Sequence, residues 1–234
     1  MLHGRRLSDA DRVYEVLSPK YGRMSLIARG AASSKSKMAG HMPPFAHVSI
    51  MVGRGKQDHL AAAVIEQRFL PMEINLQDFI LAASLVELTM KVNVGGVAAH
   101  EEYALLCDGL RFIGDSSVSY RDKVQRCRLF VWELLSLAGW RPETAVCVMC
   151  RNALSGTEAA YHESVGFVCS DHADGRPSLG ARIIETLRQL GTGSQTSLPP
   201  FDAAEQRRWQ QLTQQYYEDI ISYPVQSFRL LNYV

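Results

Sequence analysis

The sequence predicts an α+β protein in which a small N-terminal β-barrel precedes an α-helical domain with an inserted zinc finger. Three observations carry this prediction: short β-prone runs between Gly- and Pro-containing turns, long helical patterns after Asn75, and two cysteine-containing half-sites. A chain of 234 residues, 47% hydrophobic and 21% charged, can bury a sizeable core and is typical of globular proteins. We expect two domains, residues 1–74 and residues 75–234.

Two β-hairpins are predicted in the N-terminal domain. In the first, Arg12–Ser18 and Arg23–Ala28 flank the turn Pro19–Gly22, where Pro presets φ and Gly tolerates a conformation that other residues avoid. In the second, His47–Val52 and Leu60–Gln67 flank a glycine-containing connection. Because four or five short strands are too few for a large sandwich, a small, strongly curved barrel is expected.

The helical domain begins where the pattern changes, near Asn75. Asp78–Val92 is apolar on most of its surface and is predicted to be a buried core helix. Apolar residues recur at helical spacing over Tyr120–Gly139, and Gly139 is expected to end that helix. Further helices are predicted over Glu101–Gly114, over Ser178–Leu190 with Ser178 as the N-cap, and over Asp202–Ser222.

The strongest chemical signal is a pair of half-sites, Cys147-x-x-Cys150 and Cys169-x-x-His172, with eighteen residues between them. Each spacing lets a tight turn direct two ligands to one point, and the intervening segment can form a short hairpin. Three thiolates and an imidazole suit tetrahedral Zn²⁺. Four protein ligands leave no position for water, so one structural Zn²⁺ is predicted. The alternative is two unrelated cysteine turns, with His172 in solvent.

The charge is distributed unevenly along the chain. Residues 1–76 carry eleven Lys or Arg and six Asp or Glu, a net charge of +5, whereas the remainder carries 14 and 18, a net charge of −4. This asymmetry predicts that the N-terminal domain binds a polyanion. The small residues of segment 29–45 would let a backbone approach phosphates, although a solvated loop explains them equally well. The candidate DNA contacts are Lys20, Arg23, Arg29, Lys35, Lys37, Arg54 and Lys56.

Other classes of protein are not indicated. No run of about 18 apolar residues exists, so no membrane span is expected. The segment Met1–Arg6 lacks the apolar core of a signal peptide. Five cysteines, an odd number, favour metal binding in a reducing cytoplasm over a disulfide framework. No phosphate-binding loop, Ser-His-Asp set or pair of carboxylates stands out, so an enzyme is not expected.

Several blocks, in order, resemble the family of the bacterial DNA repair protein RecO. Tyr21–Gly30 is similar to the family's YGK-x-SLVAKGA block, and Ser34–Phe45 is similar to its lysine-containing block that ends in Pro-Phe. Further matches are the opening turn Leu7–Arg12, the helix Leu129–Trp140, the zinc finger from Cys147 to His172, and the terminal motif Ser227–Leu231. Family members usually begin further upstream, so only the end of the first strand is expected here.

The resemblance implies an OB-fold for residues 1–74 and a helical domain with a zinc finger over residues 147–172. It implies a cytoplasmic, nucleoid-associated recombination mediator that binds single- and double-stranded DNA and anneals complementary strands. Family members interact with RecR and with the C-terminal tail of SSB, and they help to load RecA on SSB-coated strands. Carried over by position, Arg29, Lys35 and Lys37 would contact DNA. Arg121, Arg126 and Arg128 would be candidates for the SSB tail, with a solvated basic face as the alternative.

Two other functions stay open on the residues alone. A zinc-stabilised protein–protein interaction scaffold without direct DNA binding would use the same barrel and finger. A zinc hydrolase or deaminase would need an open coordination position and a nearby general base. Glu163 is the only candidate base close in sequence.

Overall fold

A computed structural model of the chain describes residues 3–33, 39–55, 57–69, 75–154, 159–190 and 198–221. The chain divides into two compact units, residues 1–123 and residues 124–234. The predicted domain boundary after residue 74 stays a prediction. Among the helices that the structure describes, none has the length and apolar character needed to cross a membrane.

Five strands form one sheet in the first unit. They are β1 (His3–Arg6), β2 (Arg12–Ser18), β3 (Gly22–Ala28), β4 (Ala46–Gly53) and β5 (His59–Arg68). The order is β1-β2-β3-β5-β4, antiparallel except for a parallel contact between β3 and β5. This arrangement confirms the predicted α+β class, the OB-type sheet and both hairpins. Within the described residues no ladder joins β1 to β4, so the barrel is open there.

The inner face of this sheet carries the apolar core of the barrel. Tyr14 of β2 lies opposite Leu26 of β3, and both are buried together with Val16 and Leu60. These positions alternate along each strand because successive side chains point to opposite faces. Burial of an aliphatic side chain of this size stabilises the fold by about 1.5–3 kcal/mol. A few curved strands thus enclose a core.

Three helices follow the sheet, α1 (Leu76–Val92), α2 (His100–Gly114) and α3 (Tyr120–Leu137). Helix α1 is capped by Asn75, whose side chain accepts a hydrogen bond from the N–H of Asp78 at 2.8 Å. Its leucines at 81, 85 and 88 are fully buried, which confirms the predicted core helix. Helix α3 begins in the first unit and continues into the second. At its start the ammonium group of Lys123 lies 2.9 Å from the carboxylate of Asp78.

The turn between β2 and β3 is held by the segment between α1 and α2. Gly22 has a φ of +64°, and a Cβ at this position would lie 2.2 Å from the carbonyl oxygen of Val97. The N–H of Gly96 donates to the carbonyl of Tyr21, and the N–H of Ala99 donates to that of Pro19. Only glycine fits at position 22, and the backbone of this turn is fixed on both sides.

The second unit contains the rest of α3, a short hairpin and two more helices. These elements are β6 (Ala160–His162), β7 (Gly166–Val168), α4 (Ala181–Leu190) and α5 (Ala203–Ile221). The centre of its core is Trp132, whose ring lies 4.7 Å from Tyr216 and 5.4 Å from Trp209. Its indole N–H donates to the hydroxyl of Thr213 at 2.9 Å. These contacts fix α5 against α3.

Helix α4 begins three residues later than predicted. Ser178 does accept a hydrogen bond, from the N–H of Gly180 at 3.3 Å, but it does not cap the helix. Gly180 has a φ of +86°, which is incompatible with a right-handed helix. The helix therefore starts only after this glycine.

Candidate metal centre and nucleic-acid interface

The first two predicted metal ligands, Cys147 and Cys150, lie in a tight turn of the second unit. Val146 and Ala153 bridge the base of this turn. The N–H of Arg151 donates to the carbonyl oxygen of Cys147 at 2.9 Å, and a φ of +64° at Arg151 reverses the chain after Cys150. The two-residue spacing thus brings both thiols to one point.

The other two ligands, Cys169 and His172, follow β7. The predicted hairpin between the half-sites is confirmed as β6 and β7, and a 3₁₀ turn over Ser170–His172 positions the imidazole. The N–H of Val148 donates to the carbonyl oxygen of Phe167 at 3.1 Å. This bond joins the first turn to β7, so both half-sites meet.

The four ligand atoms fit a tetrahedral ion, since all of them lie within 4.8 Å of one another. The sulfurs of Cys150 and Cys169 are 3.8 Å apart. Nδ1 of His172 lies 3.2 Å from the sulfur of Cys169 and 3.9 Å from that of Cys147. Tetrahedral Zn²⁺ needs about 3.8 Å between sulfurs and about 3.6 Å between sulfur and nitrogen, whereas a disulfide needs about 2.05 Å. The cluster can hold one metal ion.

The electrostatics of the cluster favour a thiolate at Cys147. Burial alone opposes its ionisation, but the backbone N–H groups of Cys150, Cys169 and Met149 outweigh this effect and lower the pKa of the Cys147 thiol to about 6. At Cys169, burial and hydrogen bonds with the neighbouring thiols raise the pKa. This shift favours the thiolate, which is the charge state that metal ligation requires.

Helix α5 holds the hairpin of the metal centre through Asp219. Its carboxylate accepts hydrogen bonds from the hydroxyl of Tyr161 at 2.6 Å and from the N–H of Ser164 at 3.0 Å. Burial, reinforced by the Asp219 carboxylate, raises the pKa of Tyr161 above its ordinary value, so the phenol stays a donor. Gln215, also on α5, donates a hydrogen bond at 3.2 Å to Glu163, the candidate base of the zinc-hydrolase alternative.

Replacement of Asp219 by alanine should lower the free energy of unfolding by about 1–3 kcal/mol, because the hydroxyl of Tyr161 loses its acceptor. Urea unfolding followed by circular dichroism measures this loss. Glu218→Ala is the matched control, since the bond that Glu218 accepts among the described residues is an i,i+4 bond from Gln214, and it should cost about 0.2–0.5 kcal/mol. Equal losses in the two variants would show that Asp219 does not hold the hairpin.

Two predicted DNA contacts, Lys20 and Arg54, come together around Tyr21 in the first unit. The ammonium of Lys20 lies 5.4 Å from the centroid of the Tyr21 ring, and the guanidinium carbon of Arg54 lies 5.6 Å from it. Both distances are typical of cation–π contacts. Arg54 also pairs with Asp58 at 2.5 Å. The ring of Tyr21 is an exposed aromatic surface, at 44% of its full accessibility. Lys20, Tyr21 and Arg54 are called the Tyr21 cluster below.

A groove of about 560 Å³ opens beside the Tyr21 cluster. It is lined by the adjoining ends of β2 and β3, by β4 and by Tyr103 of α2. The rings of His47 and Tyr103 meet edge to face, with centroids 6.0 Å apart. Burial raises the pKa of Tyr103 above its ordinary value, so this ring is uncharged at neutral pH. The groove therefore combines apolar and aromatic walls with cations at its rim.

Of the remaining predicted DNA contacts, the structure describes Arg23 and Arg29, and both lie away from the Tyr21 cluster. The guanidinium of Arg23 lies 3.2 Å from the carboxylate of Glu15 and donates to the carbonyl of Met90 in α1 at 3.1 Å. Arg29 is exposed just beyond β3, about 20 Å along that strand from the turn at Gly22. Three further predicted contacts lie outside the described residues: Lys35, Lys37 and Lys56. The structure thus groups Lys20 with Arg54 and turns Arg23 towards α1.

The three candidates for the SSB tail differ in exposure. Arg121 is exposed in the first turn of α3. Arg126 donates to the carboxylate of Glu133 at 2.6 Å, and Arg128 is buried and donates to the side-chain oxygen of Gln210 at 2.8 Å. Two of the three guanidinium groups thus have internal partners, and their role in binding the tail stays a prediction.

Sequence reasoning missed the aromatic part of the candidate interface. The sequence analysis assigns Tyr21 to a turn and to the Tyr21–Gly30 block but to no DNA contact, although an aromatic residue beside a lysine in a basic barrel is typical of single-strand binding surfaces. His47 and Tyr103 carried no such signal, because they are 56 positions apart and meet only in the folded unit. The candidate cations can thus be proposed from the sequence, whereas the groove beside them is visible only in the folded unit.

The fold and the site together define a class: an open OB-type sheet followed by a helical region with a Cys₃His centre. A family model described as Recombination protein O N terminal matches residues 1–65. A second model, described as Recombination protein O C terminal, matches residues 75–227. The chain therefore belongs to the RecO family, which comprises DNA repair and recombination proteins.

Curated relatives named DNA repair protein RecO are similar to this chain over most of its length. The relative from Bifidobacterium adolescentis is 26% identical, across 99% of this chain and 96% of its own. The relative from Synechococcus elongatus is 29% identical, across 91% and 84%, and that from Symbiobacterium thermophilum is 27% identical, across 81% and 76%. These matches confirm the resemblance that the sequence blocks indicated.

Proposed function

We propose that the chain is a non-enzymatic mediator of DNA repair and recombination that binds single- and double-stranded DNA through residues 1–74. It anneals complementary strands and, together with RecR, helps to load RecA on SSB-coated single strands in the cytoplasm, at the nucleoid. The observation that carries this proposal is the Tyr21 cluster beside its groove, in a chain of the RecO family. Further cations extend the proposed surface: Arg23, Arg29, Lys35, Lys37 and Lys56.

Charge neutralisation is the proposed basis of annealing. Two complementary strands approach slowly in part because both are polyanions. A surface that neutralises phosphates on each strand lowers this repulsion and raises the local strand concentration. Because phosphates are the same in every sequence, we expect little sequence preference.

One structural Zn²⁺ is proposed at Cys147, Cys150, Cys169 and His172. These four side chains fill a tetrahedral coordination sphere, so bound zinc would contribute folding free energy and would offer no open position to a substrate. This closed ligand set supports a mediator over the zinc-hydrolase alternative.

The SSB tail is proposed to bind at the basic start of α3, with Arg121 as its first contact because Arg121 is exposed. Arg126 and Arg128 would have to exchange Glu133 and Gln210 for the acidic tail. A peptide with acidic residues and a terminal phenylalanine should therefore bind the wild-type chain at low salt and bind Arg121→Ala more weakly. Absence of binding to the wild type would count against this part of the proposal.

The double substitution Lys20→Ala and Arg54→Ala should reduce the salt dependence of single-strand binding. Each cation that neutralises a phosphate contributes about 0.7 to the slope of log K against log salt concentration, so the slope should fall by about 1–1.4. Fluorescence anisotropy of a labelled oligonucleotide between about 50 and 200 mM salt measures this slope.

Arg141→Ala with Arg207→Ala removes the same charge from exposed positions of the second unit and should leave the slope unchanged. A wild-type affinity that does not respond to salt would refute the basic surface. Absence of DNA binding would favour the interaction-scaffold alternative.

In an annealing assay with SSB-coated strands, the wild type should accelerate annealing and the Lys20/Arg54 variant should do so less.

A further inference from the structure

We infer that the groove beside the Tyr21 cluster is a nucleobase site, in which an unpaired base stacks on Tyr21 while its phosphates contact Lys20 and Arg54. This inference rests on the proposed DNA-binding function and deepens it. It adds base contacts to a surface that was predicted from charge alone. It also requires that bases be unpaired, so it concerns single strands.

The exposure of Tyr21 is not explained by packing. Its ring is 44% exposed, although the turn that carries it is fixed by backbone hydrogen bonds from Gly96 and Ala99 and by the bond from the N–H of Tyr21 to the hydroxyl of Ser18. A fixed turn presents the ring in one position, which lowers the conformational entropy lost on binding. The aromatic surface is thus both accessible and preorganised.

The charges around Tyr21 match a nucleotide. Lys20 forms no ion pair within the described residues, so its ammonium group is available to an anion while it lies above the ring. Arg54 is held over the same ring by Asp58, which leaves further guanidinium N–H groups for a phosphate oxygen. A nucleotide fits these groups, because its planar base can stack on the ring and its phosphate can contact the cations.

The groove supplies room and a second aromatic wall. Its volume of about 560 Å³ lies within the range of about 300–1,000 Å³ that small-molecule sites occupy. Val48, Ile50 and Val52 of β4 provide apolar contacts on one side, and the His47–Tyr103 pair lies further along it. Every base has an apolar face that can stack, so this site would be tolerant of sequence.

The test compares two single-stranded oligonucleotides of equal length, one of thymidines and one of abasic residues, which carry the same phosphates. The wild-type chain should bind the thymidine strand on the order of tenfold more tightly. Tyr21→Ala should bind both strands equally, with an unchanged salt slope, whereas Tyr21→Phe should keep the preference. Equal binding of both strands by the wild type, or a preference that survives in Tyr21→Ala, would overturn the inference and leave the proposed function intact. Absence of binding to either strand would overturn both.

A second measurement avoids any effect of substitution on folding. The wild-type chain is irradiated with a strand that contains 5-iodouracil, and the crosslinked peptides are located by mass spectrometry. Crosslinks to Tyr21, His47 or Tyr103 are expected. Crosslinks found only outside the groove would contradict the nucleobase site.

Discussion

Substitution of Cys150 by serine should destabilise residues 124–234 by several kcal/mol and should abolish the response of the protein to zinc chelators. The strands β6 and β7 have three residues each, and a hairpin of this size is not stable without further support. Structural zinc contributes about 10–16 kcal/mol in zinc-finger peptides, which is comparable with the total stability of a domain, about 5–15 kcal/mol. Loss of one thiolate ligand should therefore unfold the finger and lower the melting temperature.

Thermal unfolding with and without a chelator measures both effects. Cys107→Ser is the matched control, because it also replaces a thiol by a hydroxyl but lies on α2, outside the cluster. The wild type and Cys107→Ser should both lose thermal stability when zinc is chelated, whereas Cys150→Ser should start lower and not respond. A Cys150→Ser protein that melts like the wild type but no longer anneals DNA would place the cluster in function instead of stability.

Substitution of Lys123 by methionine should lower the free energy of unfolding by about 3 kcal/mol. The side chain of Lys123 is 5% exposed and that of Asp78 is 15% exposed, with 2.9 Å between the ammonium nitrogen and the carboxylate oxygen. Removing one partner of a buried ion pair leaves the other charge without compensation, which costs about 3–5 kcal/mol. The side chain of Asn75 still donates to Asp78, so the lower end of this range is expected.

A double substitution separates the ion pair from simple packing. Lys123→Met combined with Asp78→Leu removes both charges and should be more stable than Lys123→Met alone, because no unpaired carboxylate stays buried. Arg111→Met is the control, since its ion pair with Asp108 is exposed and should contribute less than about 1 kcal/mol. Urea unfolding gives all three values. A double variant that is less stable than the single variant would refute the unpaired-charge explanation.

The metal ligands were predictable because their geometry is local. Each half-site closes within four residues, so the spacing of Cys147 and Cys150, and of Cys169 and His172, already fixes the turn that presents them. The hairpins and helices were predictable for the same reason, because hydrophobic periodicity and turn residues also act over short stretches of sequence. The late start of α4 was missed because the φ of Gly180 cannot be deduced from its residue type alone.

The partners of the basic side chains were not predictable, because they depend on the folded chain. Arg128 meets Gln210 across 82 positions, and Lys123 meets Asp78 across 45. The sequence pattern does not distinguish the buried Lys123 and Arg128 from the exposed Arg121. All three are basic residues in the first half of α3. Charge counts therefore predict which domain is the candidate for binding a polyanion, but not which cations are available to it.

The open edges of the sheet also bear on how copies of this protein behave in solution. An unpaired strand exposes backbone N–H and C=O groups on which another chain can add a strand. At one edge, the described part of β1 spans His3–Arg6 and carries the exposed arginines Arg5 and Arg6, which would face like charges in a second copy. At the other edge, the register between β4 and β5 shifts twice, which bends β4 out of the flat geometry that strand addition requires. Both edges thus carry features that protect open sheets from aggregation.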